Sequence, residues 1–215
     1  MSSVNHLTEA EIVSRVLKGE KSLYEIIVRR FNPCLYRVGR SYNYNHEDTR
    51  DLMQETFIDA YRSLSQFEGR SVFKTWIMRI MMNNCYRKRE KSSFKYEMAQ
   101  DANEDAMPMF TAPDEGTVRI IQNRELGRII ENALAKIPFE YRMVFSLREI
   151  NGLKVSETAV LLGISEANVK VRLNRSKAML RSELKKAYSP RELFEFNLIH
   201  CDAVVDHVMR KISAD

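Results

Sequence analysis

The chain has 215 residues, of which 34 are Lys or Arg and 29 are Asp or Glu, and its formal net charge is +5. This length suffices for one large domain or two small domains, each with its own core. The mild positive excess permits a polyanionic partner without establishing one. Three widely spaced cysteines without a C-x-x-C pair argue against a disulfide framework and favour reduced thiols.

No uninterrupted apolar segment approaches the roughly 20 residues that a membrane-spanning helix needs. The first residues lack the basic and apolar segments of a secretory signal. Only seven glycines and five prolines occur, and long alternating apolar runs are missing. We therefore expect an all-α cytoplasmic protein with no membrane insertion.

Helical periodicity appears four times in the first half of the chain, over about 8–18, 22–42, 46–65 and 73–91. The fourth helix carries Trp76 on its apolar stripe. That position favours packing in the core over stacking on a nucleic-acid base.

The middle of the chain separates two helical parts. Residues 96–118 include six acidic residues, no Lys or Arg, two prolines and no helical period, which is typical of a flexible linker. Helical periodicity resumes at about residue 119. We expect helical domains over 1–95 and 119–187, and an amphipathic C-terminal helix over 188–215 whose apolar stripe needs a covering surface.

Residues 155–182 have the pattern of a helix-turn-helix. Ala159 permits close helix packing, Gly163 suits a left-handed turn, Ser165 can cap the next helix, and Val169 begins its buried face. The other face carries Lys, Arg and Asn side chains, which suit a helix that enters the major groove. The alternative is an ordinary helical hairpin with a solvated basic face.

Positive charge is concentrated in two segments. Residues 70–95 contain eight basic residues and one acidic residue, and residues 166–186 contain seven and two. Either segment alone is compatible with a solvated surface. Two such segments, one of them on a helix-turn-helix, indicate two separate contacts with DNA phosphates.

Two long segments resemble one family. Residues 46–90 resemble the second conserved region of bacterial extracytoplasmic-function (ECF) sigma factors, and the C-terminal domain, including residues 134–165, is similar to their fourth region. The resemblance covers about residues 10–187. It implies an RNA polymerase sigma factor that binds core polymerase, recognises the −35 and −10 promoter elements and promotes transcription initiation, with no catalysis of its own.

The resemblance also implies where polymerase binds. The family's D-L-x-Q-E-T-F motif docks on the clamp helices of the largest polymerase subunit, and here it places Asp51, Gln54 and Glu55 at that contact. The alternative for these carboxylates is a helix salt bridge with Arg50 or Arg62.

For the −10 element, the resemblance implies a loop that catches an unstacked base, followed by a basic helix on the melted strand. The loop candidates are Phe67, Arg70 and Ser71, and the helix candidates are Arg79, Asn83, Arg87 and Lys88.

For the −35 element, the resemblance places the second helix of the helix-turn-helix in the major groove. Relatives often carry a small polar residue at Val171 and an aromatic residue at Asn174, so we expect a departure from the usual −35 sequence. The −35 candidates are Lys170, Val171, Asn174, Arg175 and Lys177.

The resemblance also implies a role for the acidic linker, which is expected to enter the polymerase cleft. The alternative is an inert spacer.

Two other classes of protein compete with this interpretation. No catalytic motif is recognisable and no cofactor is expected, which argues against an enzyme. His200, Cys201 and His207 converge poorly on a helix, so no metal site is expected. A stand-alone dimeric helix-turn-helix regulator would leave the first ninety residues unexplained.

The resemblance implies one more partner, because the family is commonly restrained by an anti-sigma factor. The apolar stripe of 188–215 could contact that partner or the protein's own fourth region.

Overall fold

The structure, a computed structural model, describes residues 7–93 and 127–187. In these two ranges the regular structure is helical and no strand occurs, which confirms the all-α prediction. The acidic linker and the C-terminal helix that the sequence predicts, together with His200, Cys201 and His207, lie outside the described residues.

Within residues 7–93, four α-helices form the first domain, and side chains cap the starts of the first and the third. The Thr8 hydroxyl accepts from the Glu11 amide at 3.3 Å while the Glu11 carboxylate accepts from the Thr8 amide at 2.8 Å. The Asn45 side chain accepts from the Asp48 amide at 2.8 Å. The helices are α1 (Glu9–Leu17), α2 (Tyr24–Ser41), α3 (His46–Arg62) and α4 (Phe73–Ser93), with 3₁₀ turns at Lys21–Leu23 and Leu64–Gln66.

The second domain contains four more helical elements. At the turn of the predicted helix-turn-helix, Gly163 adopts φ 64° and ψ 34°, the left-handed turn that the sequence predicts. The elements are α5 (127–135), α6 (Phe139–Phe145) with a π-helical turn at Ser146–Ile150, α7 (Val155–Leu162) and α8 (Glu166–Ala187).

The core of the first domain lies between α2, α3 and α4. A Cβ atom on Gly39 of α2 would lie 2.7 Å from the Thr49 Cγ2 atom of α3, so only glycine permits this close approach. Trp76 is half-buried against Phe67 and Phe73, with ring centroids 5.3 and 5.2 Å away, which confirms the predicted packing role. The largest fully buried side chains of α2 to α4 include Ile27, Leu35, Val38, Ile77, Met78 and Met81.

The two domains pack against each other, which the sequence does not predict. Met143, Leu147 and Leu153 of the second domain belong to the same buried cluster as the core of the first. The smaller cluster that holds the helix-turn-helix together contains Val144, Ala159 and Val169. The α6 segment, meaning α6 together with its π-helical turn (139–150), therefore packs against α8 on one side and against the first domain on the other.

Polar contacts accompany this packing. The Ser41 and Ser146 hydroxyl oxygens lie 2.5 Å apart, and the Arg142 Nε atom donates to the Ser41 carbonyl oxygen at 2.8 Å. The rings of Tyr42 and Phe139 meet edge to face at a centroid distance of 5.0 Å. We call these contacts the docking interface. It also includes an ion pair of 2.6 Å between Arg40 and Glu131, and a hydrogen bond from the Lys74 ammonium to the Asn151 carbonyl oxygen.

Candidate nucleic-acid interface

Helix α8 has one buried face and one exposed face. The Ser165 hydroxyl accepts from the Asn168 amide at 3.2 Å and caps the start of the helix as predicted. Val169 and Ser176 are fully buried against the rest of the domain. The side of α8 opposite Val169 and Ser176 therefore faces solvent.

All five predicted −35 residues lie on the exposed face. Arg175 donates to the Tyr141 hydroxyl at 3.4 Å, and the Lys177 ammonium lies 3.1 Å from the Glu149 carboxylate. These contacts tether two cations to the neighbouring α6 segment. We call the exposed set the reading face, namely Lys170, Val171, Asn174, Arg175 and Lys177.

Helix α4 presents a second exposed polar row. Arg79, Asn83 and Arg87 recur at intervals of four residues and are exposed, so they lie on one face. Lys88 is half-buried, where it pairs with Asp48 and lies 5.6 Å from the centre of the Tyr44 ring. The structure thus brings three of the four predicted helix residues together and holds the fourth beside α3.

The three loop residues predicted to contact the −10 element differ in their exposure. Arg70 and Ser71 are exposed, and Arg70 forms an ion pair with Glu68. Phe67 is half-buried, because its ring packs against Phe73 and Trp76 beneath the loop. Its contacts in this structure are therefore those of a core residue.

The predicted polymerase-binding residues lie on the outer face of α3. Asp51, Gln54 and Glu55 are exposed, and Ile58 on the following turn is 51% exposed. The Glu55 carboxylate lies 3.9 Å from the Arg87 guanidinium of α4. Its ion pair therefore joins two helices and differs from the predicted alternative, a pair with Arg50 or Arg62.

Asn84 is a functional candidate that the sequence reasoning missed. Its side chain is almost fully buried, and its amide donates to the Asp59 carboxylate at 3.2 Å and to the Thr56 hydroxyl at 3.3 Å. Its carbonyl oxygen accepts from Arg87, which also lies 3.6 Å from Asp59. Asn84 thus links the α3 surface to the basic row of α4. The sequence could have indicated Asn84, because this asparagine stands where the apolar stripe of α4 predicts an apolar residue.

Residues 7–93 and 127–187 contain no group of three or more His, Cys, Asp or Glu side chains placed to hold a metal ion. The helices described there are too short or too polar to cross a bilayer.

The fold and the surfaces define a class: a two-domain helical protein with a helix-turn-helix and a separate basic helix, both suited to DNA. Sequence comparison extends this. The description "Sigma-70 region 2" matches residues 27–94, and "Sigma-70, region 4" matches residues 127–180. The chain belongs to the sigma-70 family, in its ECF group. It is therefore a promoter-recognising initiation factor that works with RNA polymerase.

Curated relatives agree with this assignment. The chain is 28% identical over 188 residues to the ECF RNA polymerase sigma-E factor of Haemophilus influenzae, covering 83% of this chain and 96% of the relative. It is 28% identical over 191 residues to the protein of the same name from Escherichia coli K12, with coverage of 83% and 95%.

Solved structures share the fold. CnrH, solved in complex with the cytosolic domain of CnrY, superimposes with a TM-score of 0.61 at 22% identity, covering 82% of this chain and 97% of CnrH. The sigma factor RpoE of Bartonella quintana, solved with the anti-sigma factor NepR, gives a TM-score of 0.56 at 22% identity, covering 71% and 91%.

Proposed function

We propose that the chain divides initiation between its parts in the order that the sequence suggests. Residues 1–95 act as sigma region 2, residues 96–118 as the acidic linker, residues 119–187 as sigma region 4, and residues 188–215 as a C-terminal amphipathic helix. Three exposed polar surfaces, each on a helix whose opposite face is buried, carry this proposal.

The first surface binds the clamp helices of the largest polymerase subunit through Asp51, Gln54 and Glu55. The support is their shared exposure on α3, opposite the buried Leu52 and Thr56. Two carboxylates and an amide on one rigid helix can pair with basic and polar groups of a partner without rearranging the core.

The second surface binds the −10 region. The exposed row of Arg79, Asn83 and Arg87 suits a single strand, because cations along one face can follow successive phosphates. Lys88 adds positive charge at the end of this row. At the beginning of the row, Arg70 and Ser71 occupy an exposed loop and Phe67 supplies an aromatic surface beneath it.

The third surface is the reading face of α8, which reads the −35 element in the major groove. A helix anchored by Val169 and Ser176 presents its outer side chains at fixed positions. The arginine and the amide in this set can pair with base edges, and each good bidentate pair gives about 1–3 kcal/mol of discrimination.

A transcription experiment tests the assignment. We expect Asp51→Asn combined with Glu55→Gln to lower affinity for core polymerase at least tenfold, measured by fluorescence anisotropy, and to lower run-off transcription in parallel. The matched control is Glu25→Gln on α2, which removes an exposed carboxylate from another face.

A stand-alone regulator would behave differently in the same experiment. It would occupy a duplex target tightly without polymerase, and the α3 variant would bind that target as the native protein does. Such a result would overturn the proposal.

We further propose that the protein performs no chemistry, acts in the cytoplasm and is restrained by an anti-sigma factor. The support for restraint is that the related RpoE was solved with the anti-sigma factor NepR. A true anti-sigma partner would form a stoichiometric complex, suppress run-off transcription and lose to excess core polymerase. A candidate that leaves transcription unchanged would be rejected.

A further inference from the structure

Val171 is the apolar member of an otherwise polar reading face. Of the large apolar side chains that the structure describes on α8, it is the most exposed, at 48%. Lys170 precedes it, and Asn174 and Arg175 lie one turn further along the same side. Val169, two residues earlier, is fully buried.

Helix formation does not explain a valine at this exposed position. A β-branched side chain loses χ1 freedom in a helix, so valine is a poorer helix former than most polar residues with straight side chains. Single exposed apolar residues are common on proteins, so exposure alone carries little weight. The informative observation is its place within the first turns of a recognition helix, which contact base edges.

The chemistry of the major groove restricts what Val171 can contact favourably. Its methyl groups offer no hydrogen bond, and a polar base edge pressed against them would lose its water without replacement. The apolar group that B-form DNA presents in the major groove is the C5-methyl of thymine.

We propose that Val171 is a specificity residue that selects thymine in the −35 element through contact with the C5-methyl group. This inference rests on the proposed function of α8 as the −35 reader. It names the base that this chain selects at the apolar position of its reading face.

Two contacts near Val171 hold side chains of α8 in fixed positions on the domain. Arg175, four residues after Val171, donates to the Tyr141 hydroxyl at 3.4 Å, and Lys177 lies 3.1 Å from Glu149. Both partners belong to the α6 segment, so these two cations of the reading face are anchored to the domain. The selected thymine should therefore adjoin the base pairs that Asn174 and Arg175 contact.

A single-methyl substitution in DNA tests the proposal. A −35 element is first selected from a randomised promoter library with holoenzyme made from the full-length chain and core polymerase. Each thymine of that element is then replaced by deoxyuridine, which lacks only the C5-methyl. With the native protein, we expect one replacement to weaken promoter binding about fourfold, the effect of failing to bury one methyl-sized group.

Protein variants assign that effect to Val171. Val171→Ser has similar helix propensity and removes the methyl groups, so its holoenzyme should bind the thymine and deoxyuridine promoters equally. The matched control is Val160→Ser on α7, which replaces another exposed valine away from the reading face. It should keep the native fourfold preference for thymine.

The outcomes separate this inference from the proposed function. If the library yields a −35 element but no thymine in it is sensitive to deoxyuridine, the inference about Val171 is wrong and α8 still reads the element. If sensitivity persists in Val171→Ser, another residue contacts the methyl group and the inference is also wrong. If no −35 preference emerges, both fail.

Discussion

Arg142 is the buried charge that ties the second domain together and joins it to the first. Its guanidinium donates to the Ser41 carbonyl and to the Ala135 carbonyl, each at 2.8 Å. The Ala135 contact satisfies a carbonyl at the end of α5 that has no partner within the helix. Burial, with the positive charge of Arg89 adding to it, lowers the pKa of Arg142 to about 10, so it stays charged at neutral pH.

Replacing Arg142 should therefore be costly. We expect Arg142→Met to lower the free energy of unfolding by about 3 kcal/mol, because it leaves buried carbonyl oxygens without donors. Urea denaturation measures this loss. Arg29→Met is the matched control, because Arg29 is exposed and paired only with Glu25 among the described residues, and it should change stability by less than about 0.5 kcal/mol. Equal effects of the two substitutions would contradict the assigned role of Arg142.

The two buried cysteines should be chemically inert in the folded protein. Burial raises the pKa of the Cys34 thiol to about 11 and that of Cys85 to about 12. At pH 8 the reactive thiolate of Cys34 then amounts to on the order of 10⁻³ of the thiol, against about a quarter for a free cysteine. Iodoacetamide should modify both residues at least tenfold more slowly than in urea, as read by peptide mass spectrometry. Labelling at the unfolded rate would refute this.

The turn between α7 and α8 depends on a backbone conformation that most residues avoid. Gly163 has φ 64°, and no atom lies within 4 Å of the position that a Cβ would take. A substitution there meets conformational strain and no collision. Asn43 adopts φ 65° elsewhere in the chain, which shows that asparagine is accepted in this conformation.

The two substitutions at Gly163 should therefore differ. We expect Gly163→Ala to lower the free energy of unfolding by about 1 kcal/mol, the usual cost of a Cβ in the left-handed region. Gly163→Asn should cost clearly less, because its short polar side chain tolerates this conformation. Thermal unfolding of the two variants checks the order. Equal losses would show that strain at this turn does not set the stability of the helix-turn-helix.

The docked arrangement of the two domains is too compact to contact both promoter elements at once. The elements are centred about 25 base pairs apart, or about 85 Å of duplex at about 3.4 Å per base pair. A compact body of about 150 residues has a radius of gyration of about 15 Å. If each domain contacts its own promoter element, we expect the docking interface to open when the protein acts with polymerase and the Arg40–Glu131 ion pair to break.

A reversible crosslink tests this consequence. The Ser41 and Ser146 hydroxyl oxygens lie 2.5 Å apart, so cysteine side chains at the two positions would lie side by side, as a disulfide requires. We expect the double variant Ser41→Cys, Ser146→Cys to lose run-off transcription at least tenfold when oxidised and to recover it on reduction. Ser146→Cys alone serves as the control and should be indifferent to oxidation. Normal transcription by the crosslinked protein would mean that the domains act without separating.

The helices, their caps and the reading face could be predicted from the sequence because they depend on interactions between residues a few positions apart. The capping box at Thr8, the turn at Gly163, the cap at Ser165 and the buried Val169 all follow from such local patterns. The roles of the exposed residues came from the family resemblance, and those assignments stay predictions.

Other features could be found only from the packing of distant segments. Ser41 meets Ser146 across 105 positions of sequence, and Asn84 reaches Asp59 across 25. Phe67, which the family resemblance assigns to the −10 contact, packs against Phe73 and Trp76. Local periodicity shows which face of a helix is apolar, but it carries no information about which other segment covers that face.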